Sequence, residues 1–125
     1  MAAATRRLEV SASNVANAMS DGPLPSADAS VQANYPAAYT PRRVDQVEIV
    51  GGGTAAVVND VSPATVATYD PDAPYADENG MVASPNVDYA GEIVQQLIAR
   101  YTFAMNAMVL RTYDQMMKSL LDIRT

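Results

Sequence analysis

Residues 87–123 read VDYAGEIVQQLIARYTFAMNAMVLRTYDQMMKSLLDI, with no proline after Pro85 and Gly91 as the only glycine. Val94, Ile98, Tyr101, Met105, Met108, Thr112, Met116, Leu120 and Ile123 follow one another at spacings of three and four, which marks one face of a helix. Asn86 or Asp88 can cap its start, and Glu92 suits the positive end of the helix dipole. At 1.5 Å per residue the helix would be roughly 50 Å long. Ile93, Leu97, Phe103, Val109, Tyr113, Met117 and Leu121 fall on flanking faces, so the helix is apolar well beyond one stripe. A periodic run this long, with more apolar surface than a small domain can cover, predicts packing against other chains.

The rest of the chain cannot cover that helix. A chain of 125 residues is normally one domain, and residues 42–86 are too few to build a large core of their own. Residues 1–20 predict a short amphipathic helix with Ala4, Leu8, Ala12, Val15 and Met19 on its apolar side, stopped at Asp21-Gly22-Pro23. So short a helix is marginal alone and needs a partner. Residues 21–41 carry proline among Ser, Asp and Ala and read as an extended linker. Val44, Val47, Ile49 and Val50 precede Gly51-Gly52-Gly53, and Val57 and Val58 follow it, which predicts a hairpin. A third strand is expected from Thr65 to Tyr69, and residues 70–86 read as an ordered surface loop. The expected fold is therefore α+β and mainly α. It divides into a terminal helix (1–20), a linker (21–41), a small β and loop region (42–86) and a long C-terminal helix (87–125).

Composition excludes several function classes. Hydrophobic residues make up 49%, so the chain is not compositionally disordered. The net charge is −6, and no Lys or Arg lies between Arg43 and Arg100, which argues against nucleic acid and anionic membranes as partners. No run approaches the ~20 apolar residues of a membrane span. Arg6-Arg7 is followed by no apolar signal core. With neither Cys nor His, no disulfide, zinc site or thiol nucleophile is available, and Ser11, Ser13 and Ser62 lack a base. Asp70, Asp72, Asp77 and Glu78 lack the glycine and terminal Glu of a calcium loop and read as solvated acids. The triple glycine is not followed by the Lys-Ser/Thr of a phosphate loop. Arg42-Arg43 reads as a solvated pair or a contact for an acidic surface. The methionines at 105, 108, 116 and 117 read as helix packing. No cofactor, metal or catalytic residue is expected.

Two stretches carry a family resemblance. Ala12-Ser13-Asn14-Val15-Ala16-Asn17 resembles the ASN-hydrophobic-AN signature near the N-terminus of the bacterial flagellar rod and hook axial proteins. There Asn14 and Asn17 share a side and can bridge to a neighbouring helix or backbone, with Val15 toward the partner helix. Asp60-Val61-Ser62-Pro63, then Tyr69-Asp70-Pro71, Pro74, Ala76-Asp77, Gly80, Val82 and Pro85-Asn86-Val87-Asp88, resemble in order and spacing the loop that leads into the C-terminal helix of proximal-rod members. Phe103-Ala104-Met105-Asn106 stands where these have Tyr-x-x-Asn, and Leu110, Thr112 and Met116 fit the same pattern. Ala73 replaces a frequent His, and Met81 and Phe103 replace Tyr. Relatives usually carry further residues before the position of Met1.

The resemblance implies a non-enzymatic subunit of the basal-body rod, which crosses the periplasm. Its terminal helices would pair, and order as they join a helical array that passes torque from the rotor to the distal rod and hook. Implied packing residues are Leu8, Ala12, Asn14, Val15 and Asn17 with Val94, Leu97, Ile98, Tyr101, Phe103, Met105 and Asn106. Met108, Leu110, Thr112, Met116, Leu120 and Ile123 continue the set. The implied loop motif is Ser62, Pro63, Tyr69, Asp70, Pro71, Pro74, Asp77, Gly80, Pro85, Asn86 and Val87. Implied partners are other rod proteins, further copies of the chain, rotor-side basal-body components and the flagellar export apparatus. An independent binding or scaffold module is the alternative, with a stable monomer and one defined partner.

Overall fold

A computed structural model of the chain describes residues 1–123. The elements are α1 (Ala2–Ala16), α2 (Ala29–Asn34), β1 (Arg42–Glu48), β2 (Thr54–Asp60), β3 (Thr65–Tyr69), β4 (Met81–Pro85) and α3 (Tyr89–Asp122). The fold is α+β and mainly α, with two antiparallel strand pairs, β1–β2 and β3–β4, between the terminal helices.

α3 is a single helix of 34 residues, about 51 Å long at 1.5 Å per residue. Asp88 caps it, its Oδ1 accepting from Ala90 N at 3.2 Å. Asn86, the other candidate cap, is used elsewhere: its Nδ2 donates to Pro63 O at 2.9 Å.

α1 has 15 residues, about 22 Å, and ends at Ala16, earlier than the helix expected over residues 1–20. Asn17 closes it, with both its backbone N and its Nδ2 donating to Ser13 O, at 3.1 and 2.8 Å. Gly22 is therefore not the helix stop. Its N and O pair with Ala83 O and N, both at 2.9 Å, and its backbone lies so close to Pro36 and Ala38 that a side chain would collide with them. Close backbone approach, not helix termination, selects glycine there.

α1 packs antiparallel on the first part of α3. Ser11 reaches Glu92 near the start of α3, whereas Leu8, earlier in α1, lines a groove with Gln96, Leu97, Arg100 and Phe103 further along. The face α1 buries is Ala4, Val10, Ser11 and Asn14. Of the expected stripe only Ala4 is buried: Val15 is half-buried, while Leu8, Ala12 and Met19 are exposed. The helix is turned by about one residue, or 100°, so that its polar side chains meet partners inside the chain.

The linker between α1 and β1 is more structured than its composition predicts. It holds α2, whose preceding turn is fastened by Gln32 Nε2 donating to Pro25 O at 3.0 Å and Ala27 O at 2.8 Å. Tyr39 N donates to Ser20 O at 2.9 Å, and the Tyr35 ring packs against Tyr75, with centroids 5.5 Å apart.

β1 and β2 form the expected hairpin, in register from Arg42↔Asp60 to Glu48↔Thr54. Gly51, Gly52 and Gly53 turn it with φ near +100° at each, a region closed to other residues. The expected strand over 65–69 is present as β3, but it pairs with β4, in a stretch that reads from sequence as loop. Met81–Pro85 has no alternating pattern to announce it. Burial of Val82 and Ala83 and pairing with β3 on one side and Gly22 on the other make it a strand.

The core is small. Among the described residues the buried hydrophobics are Ala4, Val10, Val82, Ala83 and Ala99. No helix among them is long and apolar enough to cross a membrane.

Candidate subunit interface

α3 divides into a covered and an uncovered part. Up to Ala107, positions Gly91, Glu92, Gln96, Ala99, Thr102 and Ala107 are buried or half-buried. From Met108 to Ile123 every residue is exposed. The bare part includes Met108 at 66%, Leu120 at 61% and Ile123 at 82% exposed, with Leu110 and Met116 between. Moving such a side chain from water into a packed surface stabilises by about 1.5–3 kcal/mol. The Asp114–Lys118 pair on the same segment, 2.8 Å apart and solvated, contributes only about 0.3–0.5 kcal/mol. Apolar contact, not surface charge, dominates what this helix can do.

Val94, Leu97, Ile98, Tyr101, Phe103 and Met105 are likewise exposed, although they lie where α1 runs alongside. α1 contacts the narrow side of α3 carrying Glu92, Gln96 and Ala99 and leaves the apolar stripe outside. Leu8 joins that surface, with Ile93, Leu97 and Phe103, around an apolar groove of about 330 Å³ rimmed by Gln96 and Arg100. The polar members of the set serve α3 itself: Asn106 Nδ2 donates to Thr102 O at 2.8 Å and Thr112 Oγ1 to Met108 O at 3.0 Å.

Asn14 behaves differently from the other N-terminal positions. It is 1% exposed. Its Nδ2 donates to Arg42 O and to Glu92 Oε1, both at 2.6 Å, and its Oδ1 accepts from Arg42 N and from Tyr39 OH, both at 3.0 Å. Tyr39 gives its one proton to Asn14, so Ser13 Oγ donates to Tyr39 OH at 3.1 Å. Ser11 Oγ adds a bond to Glu92 O at 3.0 Å. The cluster ties α1 to the linker, to β1 and to α3. The sequence places Asn14 and Asn17 on one side of the helix, but only the fold reveals the Asn14 partners Tyr39, Arg42 and Glu92.

The loop-motif residues run from the turn before β3 to the entry of α3. The Ser62–Pro63 peptide is cis, and both residues are exposed. Asn86 holds this turn to the end of β4, since its backbone N donates to Ala64 O at 2.9 Å while its side chain takes Pro63 O. Asp77 organises the β3–β4 loop: its Oδ1 accepts from Asn79 N at 2.9 Å and Met81 N at 2.8 Å. Gly80 has φ +72°, and a Cβ there would lie 3.0 Å from Pro71 Cβ and Tyr69 Cε2. Asp70 N donates to Gly80 O at 2.9 Å. Pro71 and Pro74 are exposed, Pro85 is buried, and Val87 N donates to Pro85 O at 2.9 Å as the chain enters α3.

The model of a family described as "Flagellar basal body rod FlgEFG protein C-terminal" matches residues 78–123. Similarity to curated proteins runs over nearly the whole chain. The flagellar basal-body rod protein FlgC of Salmonella typhimurium is 36% identical over 118 residues, which covers 94% of this chain and 84% of that protein. FlgC of Yersinia enterocolitica is 35% identical over 118 residues, with the same shares covered. FlgC of Buchnera aphidicola is 30% identical over 134 residues, covering 98% of this chain and 89% of the relative.

Proposed function

The chain belongs to the family of flagellar basal-body rod proteins, FlgC, and on that footing we propose how it enters the rod. It is a structural subunit of the flagellar basal body, not an enzyme. Its exposed stripe on α3, from Val94 to Ile123, and the adjoining groove at Leu8 pack against the helices of neighbouring subunits. The observation that carries this reading is the bare segment Met108–Ile123, where every residue is exposed. Neighbours are other rod proteins and copies of the same chain, with rotor-side components at one end, and the chain arrives through the flagellar export apparatus. Contacts between unlike faces that do not close into a ring propagate as a helical array. The helix pair is the rod-core part, residues 42–86 are the outlying part, and torque passes through the packed helices. The distal half of α3, marginal without partners, orders fully on joining the array, and intersubunit burial offsets the entropy lost.

The test is Leu120→Glu combined with Met116→Glu in cells lacking the native gene. Both positions are exposed, so thermal unfolding of the purified chain should shift by no more than about 3 °C. The exported variant should be missing from isolated basal bodies, and the cells should not swim. Incorporation at the wild-type level would remove the basis of this reading.

A further inference from the structure

We infer that Asn14 is a positioning residue: it sets the rotation of α1 about its own axis, and thereby decides which side of that helix a neighbouring subunit meets. The inference rests on the reading of the chain as an assembling subunit. Its structural half, however, concerns the isolated chain alone.

The Asn14 amide uses both its donor hydrogens and both its acceptor lone pairs inside the chain. Its orientation is fixed by the partners. Exchanging O and N would set the amide hydrogens against Arg42 N–H and the amide oxygen against the Glu92 carboxylate. The four partner groups lie on three segments distant in sequence from α1, so they converge on one point only. Turning α1 by one residue would remove Asn14 from that point. Arg42 N, Arg42 O and the Glu92 carboxylate, each in a partly buried setting, would then lack this partner. A fully satisfied buried amide is known to specify helix register at some loss of stability, because each alternative setting leaves polar groups unpaired.

The apolar side chains of α1 would by themselves favour a different setting. Leu8 and Ala12 would turn inward if burial of hydrophobic surface decided the matter. In the structure both face out, and Leu8 stands beside Leu97 and Phe103 at the groove. The polar cluster thus holds Ser11 and Asn14 inward and keeps Leu8 available. Asn14 itself is too deeply buried to touch a partner. α1 is accordingly seated on α3 before assembly, and only the distal part of α3 waits for a neighbour.

The experiment is a double-variant rescue on the full chain, read by thermal unfolding and by amide hydrogen exchange. N14D sets a carboxylate against the Glu92 carboxylate and loses the donor to Arg42 O. It should lower Tm by on the order of 10 °C. E92Q alone retains an acceptor for Asn14 Nδ2 and should lower it far less. In the double variant N14D/E92Q, the amide introduced at position 92 can donate to the carboxylate introduced at position 14. At least a third of the lost Tm should then return, with α1 amide protection rising in parallel. If N14D matches wild type, or if E92Q returns nothing to N14D, Asn14 does not set the helix and the inference falls. Should N14D fail to fold, Tyr39→Phe carries the test. It strips one bond from Asn14 Oδ1 and should reduce α1 protection several-fold while leaving β3 and β4 unchanged; unaltered α1 protection overturns the inference. These results concern the monomer. The Leu120→Glu, Met116→Glu chain can fail to assemble with α1 protection intact, so loss of the rod reading and loss of the Asn14 inference are separately visible.

Discussion

Asp77 shows how one side chain can shape a loop. Its Oδ1 takes two backbone N–H groups, from Asn79 and Met81, that otherwise face the turn without a side-chain acceptor. Asp77→Ala should destabilise the chain by about 1–2 kcal/mol in urea unfolding, and Asp77→Asn, which keeps an amide oxygen, by less than half of that. Equal losses for the two would mean that charge and not the acceptor matters. Tyr69, Pro71 and Gly80 are part of the same arrangement, since the space beside Gly80 is filled by the other two. The stretch expected as an ordered surface loop does lie at the surface over residues 70–80, with Pro71 and Pro74 exposed, and Asp77 fastens its turn from within. That role could not be inferred from composition, because solvated acids among turn prolines look the same in one sequence.

At the scale of elements, the two halves of α3 have different standing. The first half is held by α1, by the Asp88 cap and by Glu92 within the Asn14 cluster. The second half has its own hydrogen bonds and pairs such as Asp114–Lys118. A stretch of about 15 residues is near the limit for an isolated helix. Amides of residues 110–121 in the purified chain are thus expected to exchange at least about tenfold faster than those of residues 92–103, and to become protected in assembled rods. Uniform protection along α3 in the monomer would show that the distal half needs no neighbour. The β3–β4 pair illustrates the opposite dependence. β3 is legible from its β-branched run. β4 is not, because a five-residue strand ending in Pro85 takes its conformation from two neighbours rather than from its own side chains.

For the whole molecule, the small core and the large apolar exterior belong together. Stability within the chain rests on short side chains, backbone pairing and the polar cluster, while the large side chains of α3 stay outside. On the proposed reading, a subunit of this construction gains most of its apolar burial from neighbouring subunits. Weakening without abolishing that contact is expected to show under load. Cells carrying Met108→Ala should build rods and swim in dilute medium, yet lose rotation at a lower viscosity than wild type. Identical tolerance of load would argue against torque passing through this surface.

The long C-terminal helix, the hairpin at the triple glycine, the absence of thiol and imidazole side chains and the apolar surface that the chain leaves uncovered are all legible in the sequence. Each follows from periodicity, turn chemistry or composition, which are local properties. The rotation of α1, the fastening of the linker, the existence of β4 and the inward place of Asn14 emerge only in the folded chain. These depend on groups such as Tyr39, Arg42 and Glu92 converging from separate segments. An amphipathic pattern ranks faces by hydrophobicity, whereas the fold ranks them also by which polar groups find partners, and in α1 the second criterion prevailed.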